Sequence, residues 1–289
     1  MNLELTDRVV FITGASGGIG RALAEAFAAE GARLALAAFR NRSALEARLA
    51  DGWPFAAAFP APDRALVLQA DVSDPAQIET AMRQAEKRFG RVDHCVVNAG
   101  IWASQAQRLD AMTPERARAT LEVNLFGALW TASAFLQSLA RTGPRAAGEG
   151  ASLTFIGSTA GRFGERGNVD YATSKAGLYG MVRSLKNEIV SIDPHARVNL
   201  IEPGWTLTEM TRPTLSAPGA IPRIARTMPL RQLATGADIA RAAVFLASPV
   251  AARHISGEIL TIAGGMEGRV LWEEDEIDAA AIRRRLGLE

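Results

Sequence analysis

The segment VVFITGASGGIG, Val9–Gly20, joins a short apolar run to a cluster of four glycines. The apolar run is typical of a strand buried on both faces, and the alanine-rich stretch that follows, residues 19–30, is typical of a helix. Gly14, Gly18 and Gly20 suit a tight turn, a close approach of the backbone to a pyrophosphate, and close packing of the helix. The free N–H groups and the positive dipole at the start of a helix attract phosphates. This strand–turn–helix context therefore predicts a dinucleotide-binding site.

Strand-like and helix-like patterns alternate along most of the chain. The predicted strands are RVVFITG, ARLALAAF, ALVLQAD, DHCVVNAG, SLTFIGS, RVNLIEPG and GEILTIAGG, with helical patterns between them. This alternation is typical of a parallel sheet covered by helices on both faces. Because no fixed repeat or low-complexity linker interrupts it, residues 1–268 are predicted to form one α/β domain, a Rossmann-type doubly wound parallel sheet.

Two segments interrupt the alternation. Residues 51–63, DGWPFAAAFPAPD, are rich in proline and aromatic residues and are predicted to form an inserted surface loop. Residues 269–289 contain an acidic block followed by a short basic helix. We expect this C-terminal tail either to pack on the body of the protein or a neighbouring subunit, or to be disordered.

The composition limits the classes of partner. The 289 residues carry 32 basic and 31 acidic side chains, a formal charge of +1, so nothing indicates nucleic acid or an anionic membrane surface. A single cysteine, Cys95, excludes an internal disulfide framework, and the scattered histidines lack the spacing of metal ligands. No secretory signal or span of about 20 apolar residues is visible, so a cytoplasmic protein is expected.

The motif YATSK, Tyr171–Lys175, offers a pair of side chains for proton transfer. On a helix, residues four apart lie on the same face, so the phenol and the ammonium can address one point. A neighbouring cation favours the phenolate, which predicts that Lys175 lowers the pKa of Tyr171 from its usual value near 10. Such a phenol can protonate a ketone oxygen or deprotonate an alcohol. The same spacing also occurs on ordinary solvated helix faces.

Five motifs in order resemble the short-chain dehydrogenase/reductase family over about residues 5–265. They are TGASGGIG, NAG ending at Gly100, VNLFG around Asn124, GS ending at Ser158, and YATSK, and PGWTLT follows the sixth strand as in that family. The resemblance implies that Tyr171 is the general acid and base, and that Ser158 orients the substrate oxygen. It also implies that Lys175 binds the nicotinamide ribose and that Asn124 holds a water linking Lys175 to solvent.

Each of these residues also has a structural interpretation: Ser158 as a cap, Asn124 as a partner for backbone groups in a kinked helix, and Tyr171 as an amphipathic anchor. The expected cofactor-binding residues lie in or next to the motifs. They are Gly14, Ser16, Gly18, Ile19, Gly20, Arg40, Arg42, Asp71, Val72, Asn98, Ala99, Gly100, Tyr171, Lys175, Pro203, Gly204, Thr206 and Thr208. Asn98 is also expected to tie neighbouring strands together. No metal site is expected.

The end of the second strand predicts the choice of cofactor. An NAD-preferring site normally carries an acid there, which binds the ribose hydroxyls and repels a 2′-phosphate. This chain has Ala38 and Phe39 at that place, followed by Arg40 and Arg42. Guanidinium groups form charge-assisted hydrogen bonds with phosphate, so NADP is favoured and NAD stays open.

The predicted function is NAD(P)-dependent interconversion of a secondary alcohol and a ketone. Two alternatives remain: reduction of a carrier-bound 3-oxoacyl group, and a regulatory NAD(P)-binding protein without catalysis. The carrier alternative calls for a basic docking face, for which the candidates are Arg162, Arg166, Arg212, Arg223 and Arg226. Residues 205–230 are expected to form the substrate pocket. Its predicted apolar lining is Trp205, Met210, Leu215, Ile221 and Met228, and Arg212 and Arg223 leave room for an anionic group.

The resemblance and the apolar surface of two long helices predict a homo-oligomer, a tetramer or a dimer. The apolar residues that one sheet face is not expected to cover are Leu129, Trp130, Phe135, Leu178, Met181 and Leu185. Glu202, at the end of a buried strand, has no partner that the sequence identifies.

Overall fold

The computed structural model describes residues 2–53, 63–145 and 149–288, and seven parallel strands form its main sheet. The strands in chain order are β1 (Val9–Thr13), β2 (Arg33–Ala38), β3 (Ala65–Gln69), β4 (His94–Val97), β5 (Ser152–Ile156), β6 (Arg197–Pro203), β7 (Thr206–Leu207), β8 (Ala234–Thr235) and β9 (Ile259–Ile262). The main sheet has the order β3-β2-β1-β4-β5-β6-β9, and β7 pairs with β8 alone. The order reverses between β1 and β4, which opens a crevice at the carboxyl ends of the strands. The predicted doubly wound sheet is confirmed.

Helices cover both faces of this sheet. They are α1 (Gly18–Ala29), α2 (Arg42–Ala50), α3 (Pro75–Phe89), α4 (Pro114–Leu121), α5 (Gly127–Thr142), α6 (Thr159–Phe163), α7 (Val169–Glu188), α8 (Arg212–Leu215), α9 (Ala220–Ala225), α10 (Gly236–Ala247) and α11 (Ala279–Leu286). One core packs α3, α5 and α7 against the sheet, and a second core packs α1 and α10 against the opposite face. All five residues of β1 are buried, as expected for a strand covered on both sides.

Local signals begin and end helix α3. Asp74 caps α3 by accepting hydrogen bonds from the N–H groups of Ala76 and Gln77, and Pro75 occupies the first turn. The helix ends at Gly90, whose φ of 85° belongs to the left-handed region that glycine adopts without strain. Cys95 is fully buried in β4, where it packs as a small core residue.

The helical run that begins after Thr113 is divided into α4 and α5. Residues Glu122–Phe126 form a π-helical turn between α4 and α5, and such turns are frequent at functional sites. The whole run Pro114–Thr142 is long and apolar enough to pass a simple test for a membrane span. The inner side of this run is core, with Phe135 and Leu139 fully buried against the sheet.

A third apolar core joins residues 205–230 to the C-terminal tail. Leu215, Ile221 and Met228 are buried in it, so their predicted place in the substrate pocket is wrong. The physical reason is that the tail supplies apolar side chains that cover them. These are Ile277, Ile282 and Leu286, and Trp272 also packs there with its Nε1 donating to the Met228 carbonyl at 3.0 Å. Of the predicted loop 51–63, residues 54–62 lie outside the described part of the chain.

Candidate active site

A cleft of about 660 Å³ lies at the carboxyl ends of the central strands, where the strand order reverses. It runs from the glycine loop to the start of α7 and the segment after β6. Apart from Arg42 and Asn124, every predicted site residue lines this cleft. Residues from motifs more than 150 positions apart therefore meet in one groove, as the resemblance implies.

The glycine loop forms the end of the cleft that suits a pyrophosphate. Gly14 has a φ of 63°, and a Cβ on it would lie 2.9 Å from the Cα of Ala99. A Cβ on Gly20 would lie 2.2 Å from the carbonyl oxygen of Gly14. Only glycine fits both positions without moving the backbone, and the loop leads directly into the N-terminus of α1. These residues fit a dinucleotide, whose phosphates Ser16, Gly18 and the start of α1 would hold.

Asn98 and Asp71 both line the cleft, and local hydrogen bonds fix their side chains. The Asn98 side chain donates to the carbonyl of Thr13 at 2.8 Å, and its own N–H donates to the Thr13 hydroxyl at 3.0 Å. Asn98 therefore ties β1 to β4 in the expected way. The Asp71 carboxylate accepts from the N–H and the hydroxyl of Ser73, at 3.0 and 2.7 Å. These bonds orient Asp71 at the cleft, where its contact with the cofactor remains a prediction.

Ser158, Tyr171 and Lys175 converge at the other end of the cleft. Ser158 caps α6 by accepting from the N–H of Ala160 at 3.1 Å, and its side chain also hydrogen-bonds the Tyr171 hydroxyl. Lys175 donates from Nζ to the carbonyl of Ile156 at 2.9 Å and lies 5.9 Å from the centre of the Tyr171 ring. The capping role and the proposed substrate-orienting role of Ser158 are thus compatible.

Burial dominates the acid–base properties of the pair. Desolvation raises the pKa of Tyr171 to about 12, although the hydrogen bond from Ser158 opposes this rise. Desolvation lowers the pKa of Lys175 to about 8. The predicted lowering of the Tyr171 pKa by Lys175 is therefore wrong for this structure. The loss of water around the phenol dominates its pKa, and the Lys175 ammonium donates its hydrogen bond to the carbonyl oxygen of Ile156 instead.

Asn124 lies behind the cleft, inside the π-helical turn. Its Oδ1 accepts from the N–H of Ile101 at 2.8 Å, while Nδ2 donates to the Ile101 carbonyl at 2.9 Å and the Ser174 hydroxyl at 3.1 Å. It therefore satisfies backbone groups in a kinked helix. A Cβ on Gly100 would lie 3.3 Å from both Asn124 Oδ1 and Lys175 Nζ, so these side chains are neighbours. The water relay through Asn124 remains a prediction.

The two arginines predicted to select NADP differ in position. Arg40 lines the cleft, with its guanidinium 5.8 Å from the centre of the Phe39 ring. Arg42 begins α2, and its Nε lies 2.7 Å from Oε1 of Glu46, one helical turn away. Arg40 is therefore free to meet a 2′-phosphate, whereas Arg42 is engaged in an ion pair on the helix.

Several residues that line the cleft were missed by the sequence analysis. They are Trp102, Glu165, Glu209 and Met266. Trp102 stands edge-to-face with Trp205 at 6.3 Å, and its Nε1 donates to Oε1 of Glu165 at 2.9 Å. Their only signal in the sequence is proximity to motifs: Trp102 follows NAG by two residues, and Glu165 precedes Tyr171 by six.

The partners of Glu202 come from three different elements. Although its side chain is fully buried, it accepts hydrogen bonds from the Tyr179 hydroxyl and from Thr261 at 2.8 Å. Arg162 lies 3.7 Å from the same carboxylate. The carboxylate raises the pKa of Tyr179 well above its usual value, in addition to the effect of burial.

Two of the five arginines proposed for a basic docking face pair with acidic residues of the same chain, and the docking face itself remains a prediction. Arg162 interacts with Glu202, and Arg226 forms an ion pair with Glu274 at 3.0 Å. Arg212 and Arg223 are exposed and do not line the cleft, so their predicted contact with an anionic substrate group is wrong. Their positions on α8 and α9 direct them away because the apolar sides of these helices pack on the tail. Within the described ranges, no group of His, Cys, Asp or Glu could hold a metal ion.

Comparison with known proteins identifies the family. A family model described as enoyl-(acyl carrier protein) reductase matches residues 14–267. The 3-oxoacyl-[acyl-carrier-protein] reductase FabG of Escherichia coli K12 is 35% identical over 266 residues, covering 92% of this chain and 99% of that protein. The L-rhamnose 1-dehydrogenase (NAD(P)(+)) of Sphingomonas sp. SKA58 is 31% identical, with 91% and 97% of the two chains covered.

A solved structure shares the fold over the same extent. The short-chain dehydrogenase/reductase of Brucella melitensis titled glucose/ribitol dehydrogenase superposes with a TM-score of 0.80 at 31% identity, covering 92% of this chain and 99% of that one. The glycine loop, the convergence of Ser158, Tyr171 and Lys175, and these matches agree. The chain belongs to the short-chain dehydrogenase/reductase family of oxidoreductases.

Proposed function

We propose that this oxidoreductase prefers NADPH and interconverts a secondary alcohol and a ketone, with Tyr171 as general acid and base. The convergence of Tyr171, Ser158 and Lys175 in the cleft that starts at the glycine loop carries this proposal. A regulatory protein that only binds the cofactor would not need these three side chains together. We also propose that the protein works in the cytoplasm on a small-molecule substrate.

The chain's own residues would act on the oxygen of the substrate. The bound nicotinamide supplies or accepts the hydride. Ser158 donates a hydrogen bond that orients the carbonyl oxygen, and Tyr171 gives that oxygen its proton. With a pKa raised to about 12, Tyr171 keeps its proton at neutral pH, which suits the reducing direction. The positive charge of Lys175, whose pKa is lowered to about 8, would stabilise the phenolate that remains and hold the nicotinamide ribose.

Reduction of a carrier-bound 3-oxoacyl group is the second candidate. Its support is the 35% identity to an enzyme of that name. Reduction of a 3-oxoacyl thioester and of simple ketones by the purified protein, followed through NADPH absorbance, separates the two candidates. Higher efficiency with the thioester would favour the second, and no NADPH oxidation with either class would contradict both.

Cofactor preference is expected to depend mainly on Arg40. Because Arg40 lines the cleft and the second strand ends in Ala38 rather than in an acid, we expect kcat/KM with NADPH to exceed that with NADH by at least tenfold, about 1.4 kcal/mol. The double variant Arg40→Ala, Arg42→Ala should lose most of this preference and keep its activity with NADH. Arg42→Ala alone serves as the matched control and should lose little, since Arg42 is paired with Glu46. Equal use of both cofactors by the unaltered enzyme would contradict the proposal.

The protein is proposed to be a homo-oligomer, a tetramer or a dimer. The supporting surface is the outer side of the helix run 114–142, where Phe126 and Leu129 are 40% and 38% exposed and Phe126 stacks on Trp130. Phe135 and Leu178 do not contribute, because both are buried in the core.

Light scattering at micromolar concentration is expected to give a multiple of 30.8 kDa. Leu129→Lys should shift the mass toward the monomer, because it places a charge in the apolar surface. Val190→Lys, at a residue that is similarly exposed, is the control and should leave the mass unchanged. A monomer for the unaltered protein would overturn this proposal.

A further inference from the structure

A carboxylate is built into the wall of the cleft beside the proposed acid–base residue. Glu165 lies in the connection between α6 and α7, and it lines the same cleft as Ser158 and Tyr171. Its negative charge contributes to the high pKa of the Tyr171 phenol, so the two groups are close enough to interact. The cofactor-binding and acid–base roles proposed above do not use Glu165.

A chain of partly buried hydrogen bonds holds Glu165 in position. Oε1 accepts from Nε1 of Trp102 and from Nδ2 of Asn168, both at 2.9 Å. Asn168 is itself 2% exposed and accepts from Arg116 at 2.7 Å, and Arg116 pairs with Asp170 at 3.2 Å. This network links α4, the start of α7 and the loop after β4. The Glu165 carboxylate is therefore a fixed group, and it does not swing freely on a loop.

The other oxygen of this carboxylate is available to a ligand. Within the described residues, Oε2 of Glu165 has no hydrogen-bond partner, whereas Oε1 accepts two bonds. Trp102 contacts this carboxylate directly, and the same cleft has further apolar lining residues, among them Ile101, Trp205, Met210 and Met266. When a bound substrate covers this carboxylate oxygen, the loss of its hydrating water costs free energy unless the substrate donates a hydrogen bond to it.

We propose, building on the proposed function, that Glu165 selects substrates with a hydroxyl group on the carbon next to the reacting one. The substrate class is thus a 1,2-diol and its α-hydroxyketone. In the reducing direction the hydride goes to the carbonyl carbon and the proton from Tyr171 goes to the carbonyl oxygen. The neighbouring hydroxyl donates to Glu165 and is not transformed. The edge-to-face rings of Trp102 and Trp205 contact the C–H groups of the substrate.

The Glu165 carboxylate would also disfavour the binding of two other classes of substrate. A 2-oxo acid would bring its own carboxylate next to Glu165, and like charges in a partly buried site repel. A 3-oxoacyl thioester carries no donor on the carbon atoms that flank its ketone, so it would leave Oε2 without a partner. Glu165 would therefore favour an α-hydroxyketone over a 3-oxoacyl thioester, which distinguishes the two candidate functions.

Three ketones that share a carbon skeleton test this directly. They are 1-hydroxy-2-butanone, 2-butanone and 2-oxobutanoate. The carbon next to the ketone is a hydroxymethyl group in the first, a methyl group in the second and a carboxylate group in the third. With NADPH, kcat/KM is expected to be at least about tenfold higher for the hydroxyketone than for 2-butanone, the discrimination given by a buried hydrogen bond to a charged group. It should be lowest for 2-oxobutanoate. The N-acetylcysteamine thioester of 3-oxobutanoate should also be a poorer substrate than the hydroxyketone.

Glu165→Gln removes the charge and keeps an oxygen that can accept from Trp102 and Asn168. Its ratio of hydroxyketone to 2-oxobutanoate efficiency should fall by at least about tenfold, because repulsion of the oxo acid is lost. Glu79→Gln, a change in an exposed ion pair with Arg83, is the control and should leave all ratios unchanged. Thermal unfolding and NADPH affinity of the Glu165 variant verify that it is folded.

The measurements distinguish a wrong role for Glu165 from a wrong assignment of the oxidoreductase function. If the unaltered enzyme reduces ketones but Glu165→Gln leaves the ratios unchanged, or if the thioester is preferred, the role of Glu165 is overturned and the oxidoreductase assignment stands. If the unaltered enzyme oxidises NADPH with none of these compounds and with no ketone of a wider panel, the proposed function fails and this inference fails with it.

Discussion

Tyr171→Phe is expected to lower kcat by about 10²- to 10⁴-fold, the usual contribution of a general acid or base. The change removes only the hydroxyl that hydrogen-bonds Ser158 at the end of the cleft. The ring stays, so the packing against Lys175 and the affinity for NADPH should change little. Turnover is measured through NADPH absorbance, and cofactor affinity through quenching of tryptophan fluorescence, with Trp102 and Trp205 as reporters in the cleft.

The second tyrosine of the chain provides a matched control. Tyr179 lies two helical turns further along α7, does not line the cleft, and donates to the buried Glu202 carboxylate. Tyr179→Phe should keep most of the activity and lose stability instead, by about 1–3 kcal/mol, because a buried carboxylate loses a hydrogen bond. If the Tyr171 variant keeps more than about a tenth of the unaltered rate, the general-acid assignment is wrong.

Gly20→Ala is expected to weaken NADPH binding at least about a hundredfold, about 2.7 kcal/mol. A Cβ at this position would lie 2.2 Å from the carbonyl oxygen of Gly14, a backbone atom that cannot rotate away. The glycine loop and the start of α1 would have to separate, so the N–H groups that face the phosphates would no longer be in position. Isothermal titration with NADPH measures the loss, and thermal unfolding reports the accompanying strain.

A neighbouring glycine in the same loop distinguishes crowding from a general effect of adding a methyl group. At Gly17 the nearest atom to a new Cβ is 3.4 Å away, and the backbone has a φ of −77° that alanine adopts easily. Gly17→Ala should therefore bind NADPH within a fewfold of the unaltered protein. Equal behaviour of the two variants would show that close packing of α1 on the loop is not what the cofactor site requires.

The glycine loop, the alternation of strands and helices, and the Tyr171–Lys175 pair were predictable because each depends on residues close together in the chain. A glycine cluster between an apolar run and an alanine-rich stretch specifies its own turn, and i, i+4 spacing places two side chains on one helix face. The predicted cleft residues therefore meet in the structure.

The errors have a common physical cause. Leu215, Ile221 and Met228 are apolar residues in a segment expected to form the pocket, but residues of the C-terminal tail such as Ile277 and Ile282, which are distant in the sequence, bury them. The pKa of Tyr171 depends on how completely the fold removes water from the phenol, and no neighbour in the sequence reveals that. Arg40 and Arg42 look equivalent in the sequence. Because α2 begins at Arg42, that arginine pairs with Glu46 one turn further on, whereas Arg40 precedes the helix and lines the cleft.

The sequence alone thus determined the family, the parallel sheet, the cofactor loop and the residues proposed for proton transfer, since these rest on local periodicity and local backbone geometry. Tertiary structure decided what surrounds them. Glu202 finds Tyr179 and Thr261 from positions 23 and 59 residues away, and Glu165 meets Trp102 across 63 residues. Such contacts depend on packing and desolvation between distant elements, so the substrate-facing wall emerges only when the chain is folded.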